Sequence, residues 1–236
     1  MKGIDISNYQ ANLDLSTIEA EICIIKATEG LTYTSPSFKI QYALAKLNNM
    51  KVGFYHFLRN NDPVAEAKHF LHEIEGLKSD CKYIIDAENQ AEAVGVSARI
   101  RKFADYLISQ GKEPCLYTYR NFYNTELTSI VKDLPLWVAD YSNIRPNLKS
   151  VGWQYCGTGL DLNVFEEGIL LNKKEVKLMS KITSKSDPVI YQLQNACIAL
   201  NMNDSHGNRL DLDGLDGPST QEAKHKLKVF LNYVLK

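Results

Sequence analysis

The chain of 236 residues reads as an α/β protein, an irregular TIM-like (β/α) barrel with an antiparallel last strand, followed by a small all-α bundle. Three observations predict this. Short apolar strands alternate with amphipathic helical stretches through the first 172 residues, the mark of parallel α/β architecture. Only Gly157-Thr158-Gly159 separates the run Gly152–Cys156 from Leu160–Phe165, whereas a parallel connection needs about a dozen residues, so those two strands form a hairpin. Beyond residue 188 the strand pattern gives way to two helical faces.

Strands are predicted at Gly3–Ser7, Ile22–Ala27, Val52–Phe57, Tyr83–Glu88, Pro114–Tyr119, Leu136–Tyr141, Gly152–Cys156 and Leu160–Phe165. Helical segments fall between the first five. Ser16-Thr17-Ile18-Glu19 has capping-box spacing, Asp62-Pro63 sets an N-cap before a first-turn proline, and Gly111 stands where a helix stops. Eight strands then close into a barrel whose last three lack normal crossover helices. That economy fits the domain into about 172 residues where such barrels usually take about 250.

In the last part Ile190, Leu193, Cys197 and Leu200 share one helical face, and Ala223, Leu227, Phe230, Leu231 and Val234 share another. The Asp- and Gly-rich turn between them fails the EF-hand order, because Leu215 stands at the fifth position and Asp216 at the obligatory glycine. Residues 1–172 hold 17 Lys+Arg against 21 Asp+Glu, and residues 173–236 hold 10 against 7. This shift divides the chain into a barrel domain at 1–172, a Lys- and Ser-rich linker at 173–187 that ends before Pro188, and a helical domain at 188–236.

Composition excludes several classes of function. At 44% hydrophobic and 23% charged residues the chain is no disordered polymer. A net charge of −1 provides no basic field for nucleic acid. Apolar runs such as Ile22–Ile25 are far short of the roughly 18 residues of a membrane span, so no membrane insertion is expected. Met1-Lys2-Gly3-Ile4-Asp5 enters strand alternation without the apolar segment of a secretory signal. The expectation is a protein that is cytoplasmic until released by another route. Its five cysteines (Cys23, Cys81, Cys115, Cys156 and Cys197) include no C-x-x-C pair, which argues for ordinary thiols over zinc, redox or disulfide roles.

The chemistry lies at the strand ends. Asp86 and Glu88 close the apolar run Tyr83-Ile84-Ile85, and positions i and i+2 of a strand face the same way. Two neighbouring carboxylates in a partly dehydrated site do not both ionise readily, so one is held as a proton donor. An isolated D-x-E is more often a solvated loop start, but other strand ends add to it. Asp5 ends the first strand, Asp140 and Tyr141 the sixth, and Gln154 interrupts the seventh; the descending last strand starts at Asp161. Tyr55, Phe57, Tyr117, Tyr119, Trp137, Trp153 and Tyr155 crowd the same rim, which in barrel enzymes carries the active site. Carboxylates among flat aromatic faces suit a sugar polymer and glycosidic cleavage. His56 reads as a hydrogen-bonded structural imidazole. Asp5, Asp86 and Asp161 would have His56 as their one imidazole in a metal set, so neither metal nor cofactor is expected.

At these residues the chain resembles the glycoside hydrolase family 25 lysozymes, the muramidases of phage endolysins and bacterial autolysins. The resemblance covers about residues 3–165. It is carried by Asp5-Ile6-Ser7-Asn8-Tyr9-Gln10, Lys26-Ala27-Thr28-Glu29-Gly30, Gly53-Phe54-Tyr55-His56-Phe57, Asp86-Ala87-Glu88, Trp137-Val138-Ala139-Asp140-Tyr141, Trp153-Gln154-Tyr155 and Asp161. It implies a barrel with irregular final strands that cleaves the β-1,4 bond between N-acetylmuramic acid and N-acetylglucosamine. Bacterial peptidoglycan would be the partner, and a monomer is the default state. By the same resemblance Glu88 is the general acid, Asp86 orients or charge-stabilises the 2-acetamido group, and Asp5 and Asp161 position the sugar. The cleft residues would be Tyr55, Phe57, Tyr117, Trp137, Tyr141, Trp153 and Gln154. Attack by the acetamido neighbour and direct attack by water both remain open. Ala11 stands where the family commonly has glycine, and Asn163 where a second acid often follows Asp161. Residues 188–236 are similar to short helical peptidoglycan-binding domains through Leu193-Gln194-Asn195-Ala196 and Gly217-Pro218-Ser219-Thr220. A chitinase-type D-x-x-D-x-D-x-E strand is excluded, since Cys81 and Ile84 occupy two of its acid positions. A glycan-binding barrel without activity is the other alternative, and it would be expected to have lost Glu88 or Asp86.

Overall fold

Nine strands form one sheet: β1 (Lys2–Ile6), β2 (Ile22–Glu29), β3 (Tyr33–Thr34), β4 (Lys51–Phe57), β5 (Tyr83–Asp86), β6 (Pro114–Tyr119), β7 (Leu136–Ala139), β8 (Gly152–Cys156) and β9 (Asp161–Phe165). The computed structural model describes residues 1–171 and, from 190 to 234, all but 191, 192, 195, 196, 199, 201, 205 and 212. The predicted linker 173–187 lies outside the described residues. β1 pairs in parallel with β2 and antiparallel with β9, which closes a ring of eight strands. β9 also runs antiparallel to β8, as the three-residue connection requires; Gly159 supplies the positive φ of +80° in that turn. The ninth strand, β3, is a two-residue hairpin partner of β2 that the sequence reading did not anticipate.

Helices α1 (Phe38–Leu47), α2 (Pro63–Glu73) and α3 (Val96–Ser109) cover the barrel where the pattern placed them, and a short α4 (Arg120–Thr125) follows β6. The Asp62 carboxylate accepts from Val64 N at 2.8 Å and Ala65 N at 2.9 Å, which caps α2. Gly111, at φ +69°, ends α3. The first crossover departs from expectation, for it contains 3₁₀ turns and no α-helix. The Asp14 carboxylate takes Ser16 N at 2.9 Å and Ser16 Oγ at 2.7 Å, so Ser16 serves inside a turn instead of capping a helix. Ile18 is already extended at φ −98°, ψ 121°, and the Ser16–Glu19 box does not form. No helix intervenes between β7 and β8.

Strand alternation builds two separate cores. Side chains facing the helices include Ile25, Val52, Phe54, Ile85, Leu116 and Val138, which pack with Tyr42, Phe70 and Phe103. Those facing the barrel axis include Ile22, Ile24, Ile84, Cys115, Trp137 and Phe165. Two glycines make the floor possible. A Cβ on Gly3 would collide with Phe165 Cε2, and one on Gly152 would lie 2.7 Å from Phe165 Cδ1 and 2.8 Å from Trp137 Cδ1. Phe165 therefore fills the space that two absent side chains leave, and it packs edge-on against Trp137 at 5.2 Å between ring centroids.

Toward the C-terminus, α5 (Pro218–Val234) contributes Ala223 and Leu227 to a third cluster with Cys197, Leu210 and Ala43 of α1. Gln194 organises the turn before α5. Its side chain donates to Asp213 Oδ1 at 2.9 Å and Thr220 Oγ1 at 3.0 Å and accepts from Gly214 N at 2.8 Å. The predicted faces thus meet at Cys197, Ala223 and Leu227, while the side chains of Phe230, Leu231 and Val234 lie outside the described ones.

Gly152→Ala should overpack the barrel floor and lower stability by about 1–3 kcal/mol. Urea unfolding reads this as a reduced midpoint at an unchanged slope; an unshifted midpoint would show that the floor has slack.

Candidate active site

The inward face of each strand changes character from floor to mouth. On β1, β5 and β8 the inward series are Gly3 then Asp5, Ile84 then Asp86, and Gly152 then Gln154, while on β9, which descends, Asp161 and Asn163 precede Phe165. The same period of two places Tyr55, Tyr117 and Trp137 above the apolar floor. These groups enclose a polar cavity of about 250 Å³ lined by Asp5, Asp86, Glu88, Asp161, Tyr55, Tyr117, Trp137, Tyr141, Gln154 and Gly157. β5 ends at Asp86, so Glu88 stands on the segment beyond the strand and still reaches the cavity.

Gln154 is the hub of the site. Its carbonyl oxygen accepts from Tyr117 OH at 2.8 Å and Tyr141 OH at 2.9 Å, and its amide donates to Asp5 Oδ1 at 2.8 Å. Asn163 donates to the same oxygen at 2.7 Å and accepts from the Trp137 indole at 2.9 Å. Gly157 lets the Tyr141 ring lie on the hairpin, since a Cβ there would come within 2.6 Å of its hydroxyl.

Burial, together with the charge of Asp161, pushes Asp5 up to about 7, against the two amide hydrogen bonds that favour its charged form. Burial lifts Asp86 well above the usual carboxylate range, and repulsion from Glu88 adds to it. Glu88 is raised by burial and then by Asp161, and Asp161 is raised by burial. One cation opposes these shifts. Lys26, inward on β2, favours the charged forms of both Asp86 and Glu88. Its ammonium lies 2.7 Å from Glu29 Oε2 and 4.9 Å from the centre of the Phe57 ring. Among the described residues Asp86 Oδ1 is buried without a hydrogen-bond partner.

The four acids and five of the seven predicted cleft residues come together in this cavity. The other two lie elsewhere. Phe57 has the inward parity of Tyr55 but sits at the end of β4 beneath Lys26 and Arg59. Trp153 neighbours Gln154 and so faces the opposite side of β8, where its indole donates to Asp140 O at 2.8 Å and its ring lies 5.5 Å from Tyr155. His56 faces the helices, held by Thr28 Oγ1 at 2.8 Å and Glu66 Oε2 at 2.7 Å. Burial lowers its pKa, which makes it a neutral structural group. Lys26 entered the sequence reading only within the motif Lys26-Ala27-Thr28-Glu29-Gly30 and was given no role, although its place two residues after inward-facing Ile24 on β2 was a usable signal.

Asp5→Asn isolates the cost of this arrangement. The folded state keeps a proton on Asp5 up to about pH 7, whereas the unfolded chain releases it near 3.8, so the wild type loses stability as pH rises through that window. The Asn variant is expected to be more stable by about 4 kcal/mol at pH 8 and equal to wild type at pH 3. Thermal unfolding at both pH values checks this; equal stability at pH 8 would mean that the carboxylate is not desolvated.

Residues 4–163 match the sequence pattern of the glycosyl hydrolases family 25. The chain is 42% identical over 238 aligned residues to the autolytic lysozyme of Clostridium acetobutylicum, a match spanning 94% of this chain and 71% of that one. It is 30% identical over 178 residues to the N,O-diacetylmuramidase of Chalaropsis sp, spanning 66% of this chain and 84% of the relative. Its fold is similar to a family GH25 lysozyme from Aspergillus fumigatus, with a TM-score of 0.63 and 27% identity over 70% of this chain and 93% of that one. A family 25 glycosyl hydrolase from Bacillus anthracis gives a TM-score of 0.62 at 25% identity over 75% and 91% of the two chains. With its pattern, its relatives and its closed barrel in agreement, the chain belongs to glycosyl hydrolase family 25.

Proposed function

We propose that the chain is a lysozyme, an N-acetylmuramidase that hydrolyses the β-1,4 bond between N-acetylmuramic acid and N-acetylglucosamine in bacterial peptidoglycan. The observation that carries this reading is Asp86 Oδ1, buried without a hydrogen-bond partner among the described residues, beside Glu88 in a polar cavity. A buried carboxylate oxygen left without a donor calls for one from a ligand, and the N–H of a 2-acetamido group is the donor that an N-acetylhexosamine brings. Names and titles of relatives point the same way, being lysozymes and muramidases.

In this reading burial and mutual repulsion keep one proton on the Asp86–Glu88 pair near neutral pH. Glu88 lines both the acid cavity and the open cavity next to it, whereas Asp86 lines the inner one alone, so Glu88 is the group placed to protonate the glycosidic oxygen as the bond breaks. Asp86 accepts the acetamido N–H and stabilises positive charge developing at the anomeric carbon. Asp5 and Asp161 hold the same ring from the opposite wall. Residues 188–236 form a wall-attachment domain behind the linker 173–187, in keeping with the excess of 10 Lys+Arg over 7 Asp+Glu after residue 172 and the anionic character of wall polymers. An endolysin role fits this pairing of barrel and attachment segment.

Two measurements test the assignment. Glu88→Gln is expected to slow the clearance of cell-wall suspensions by about 10³-fold while the variant still sediments with sacculi, and mass spectrometry of wild-type digests should show muramic acid at the new reducing ends. Cleaved peptides, or N-acetylglucosamine at those ends, would overturn the function. Lys26→Met removes the cation that holds both acids down, so Asp86 and Glu88 both titrate higher, and the limbs of the pH–rate profile move together toward higher pH by about one unit. Glu29, Asp5 and Asp161 remain as the other charges facing the pair. An unmoved profile would remove Lys26 from the site's electrostatics.

A further inference from the structure

Far from the acid cavity, a second group of ionisable side chains meets where the C-terminal segment lies against the barrel. Ala43 of α1 packs there with Cys197, Leu210, Ala223 and Leu227, and beside this apolar contact opens a cavity of about 730 Å³. One wall belongs to the barrel: Lys39, one turn before Ala43 on α1, His72 and Glu73 at the end of α2, and Glu75 and Leu77 in the turn that follows. The other wall is C-terminal, where Ile198 and Arg209 adjoin in sequence the packed Cys197 and Leu210. Gly76 fits the two walls together. Its φ of +78° makes the turn after α2, and a Cβ there would lie 3.6 Å from Arg209 Nη2, so the guanidinium rests on that turn. The charged ends of Lys39, Glu73, Glu75 and Arg209 make no hydrogen bond or ion pair among the described residues.

Uncommitted charges of both signs around one cavity suit a ligand that carries both signs within a short span. A volume of this order takes a short peptide. A polyanion is disfavoured, because Glu73 and Glu75 would repel it, and a neutral glycan would leave every one of these charges unmatched. The peptide arm of peptidoglycan has the complementary set. Its carboxylates suit Arg209 and Lys39, with the guanidinium fork well shaped for a carboxylate. A free amine on the arm suits Glu73 and Glu75, and its alanine methyl groups suit Leu77 and Ile198. We propose that this cavity binds the peptide arm of peptidoglycan, and that the barrel and the C-terminal segment build the site jointly. This rests on the lysozyme reading given above. The cavity lies on the helix-covered side of the barrel, whereas the acid cavity opens at the strand ends, so the wall is held by its peptide at one place and cut in its glycan at another.

Calorimetric titration of the full chain with the tetrapeptide alanyl-γ-glutamyl-diaminopimelyl-alanine tests this, together with two charge reversals, Arg209→Glu on the C-terminal wall and Glu75→Lys on the barrel wall. Both positions are exposed, where substitutions change stability little. The wild type is expected to bind the tetrapeptide, and each reversal to weaken binding about tenfold, since it removes a charge-assisted hydrogen bond and adds a repulsion. In a Glu88→Gln background, which leaves the wall uncut, the same reversals should weaken sedimentation with intact sacculi and leave binding to peptide-free glycan strands where it was. A wild type that ignores the tetrapeptide, an effect from one wall alone, or an equal defect on peptide-free glycan would overturn the proposal. So would tighter binding of Glu75→Lys to poly(glycerol phosphate) with weaker binding of Arg209→Glu, which would assign the cavity to an anionic wall polymer. Failure of the lysozyme reading is separately visible, because wild-type digests would then lack muramic acid reducing ends, whereas the titration involves no cleavage.

Discussion

Four carboxyl groups sharing one cavity of about 250 Å³ is the constraint on which the rest of this barrel depends. Water would solvate such charges; the barrel interior does not, and burial is the first cause of the raised pKa in every one of them. For Asp5 the displacement from 3.8 to about 7 corresponds to about 4 kcal/mol of lost stability once the group is ionised. That is a large part of the roughly 5–15 kcal/mol by which a domain is stable. The offset comes from fixed donors. Gln154 and Asn163 converge on Asp5 Oδ1, and each is itself fixed from behind, Gln154 by two tyrosine hydroxyls and Asn163 by an indole. Burial raises the Tyr55 and Tyr117 hydroxyls well above their ordinary value, and the neighbouring carboxylates add to the effect. The phenols therefore remain donors over the whole working range of pH.

The closed ring makes this placement possible. A strand presents alternate residues to the axis and to the helices, so neighbours such as Tyr55 and His56 take opposite roles. Tyr55 enters the acid cavity, whereas His56 is locked between Thr28 and Glu66 among the packed phenylalanines of α2 and α3. The two apolar cores set the height of the site. Phe165, seated where Gly3 and Gly152 leave room, plugs the barrel below the acids, and the polar layer begins one inward position above it.

This parity was legible in the sequence, and with it most of the architecture. The hairpin turn fixed the direction of the last strand, and the polar groups at the strand ends identified Asp5, Asp86, Gln154 and Asp161 as companions. Parity also explains Trp153: as the neighbour of inward Gln154 it faces away, although its motif suggested the cleft. What could not be read was competition among local partners and contacts between distant loops. Ser16 carries the spacing of a capping residue, yet the Asp14 carboxylate two residues earlier captures it. Arg120 and Asp140 are 20 positions apart and meet only because α4 and the end of β7 share a rim. The C-terminal faces were visible as patterns, but that Ala43 of α1 would join their cluster was not.

The remaining question is how Glu88 keeps its position when its strand has already ended at Asp86. The backbone ladder to β6 runs one residue further, Ala87 N donating to Tyr117 O at 3.0 Å, and a chain of ion pairs ties down the turn beyond. Lys26 on β2 pairs with Glu29 at 2.7 Å; Glu29 faces Arg59, after β4, at 3.5 Å; and Arg59 reaches Glu92 at 3.0 Å. Glu92 closes the 3₁₀ turn that follows Glu88, a turn opened by Asn89 as its cap. Exposed ion pairs are individually weak, but a network with partly buried members resists better. Lys26, with 16% of its side-chain surface exposed, and Glu92, with 19%, are its sheltered ends. The same lysine that favours the charged forms of Asp86 and Glu88 thus begins the tether that holds the acid-bearing loop over the cavity. Electrostatic tuning and positioning of the acid are then one structural feature, because both originate at a single inward position on β2.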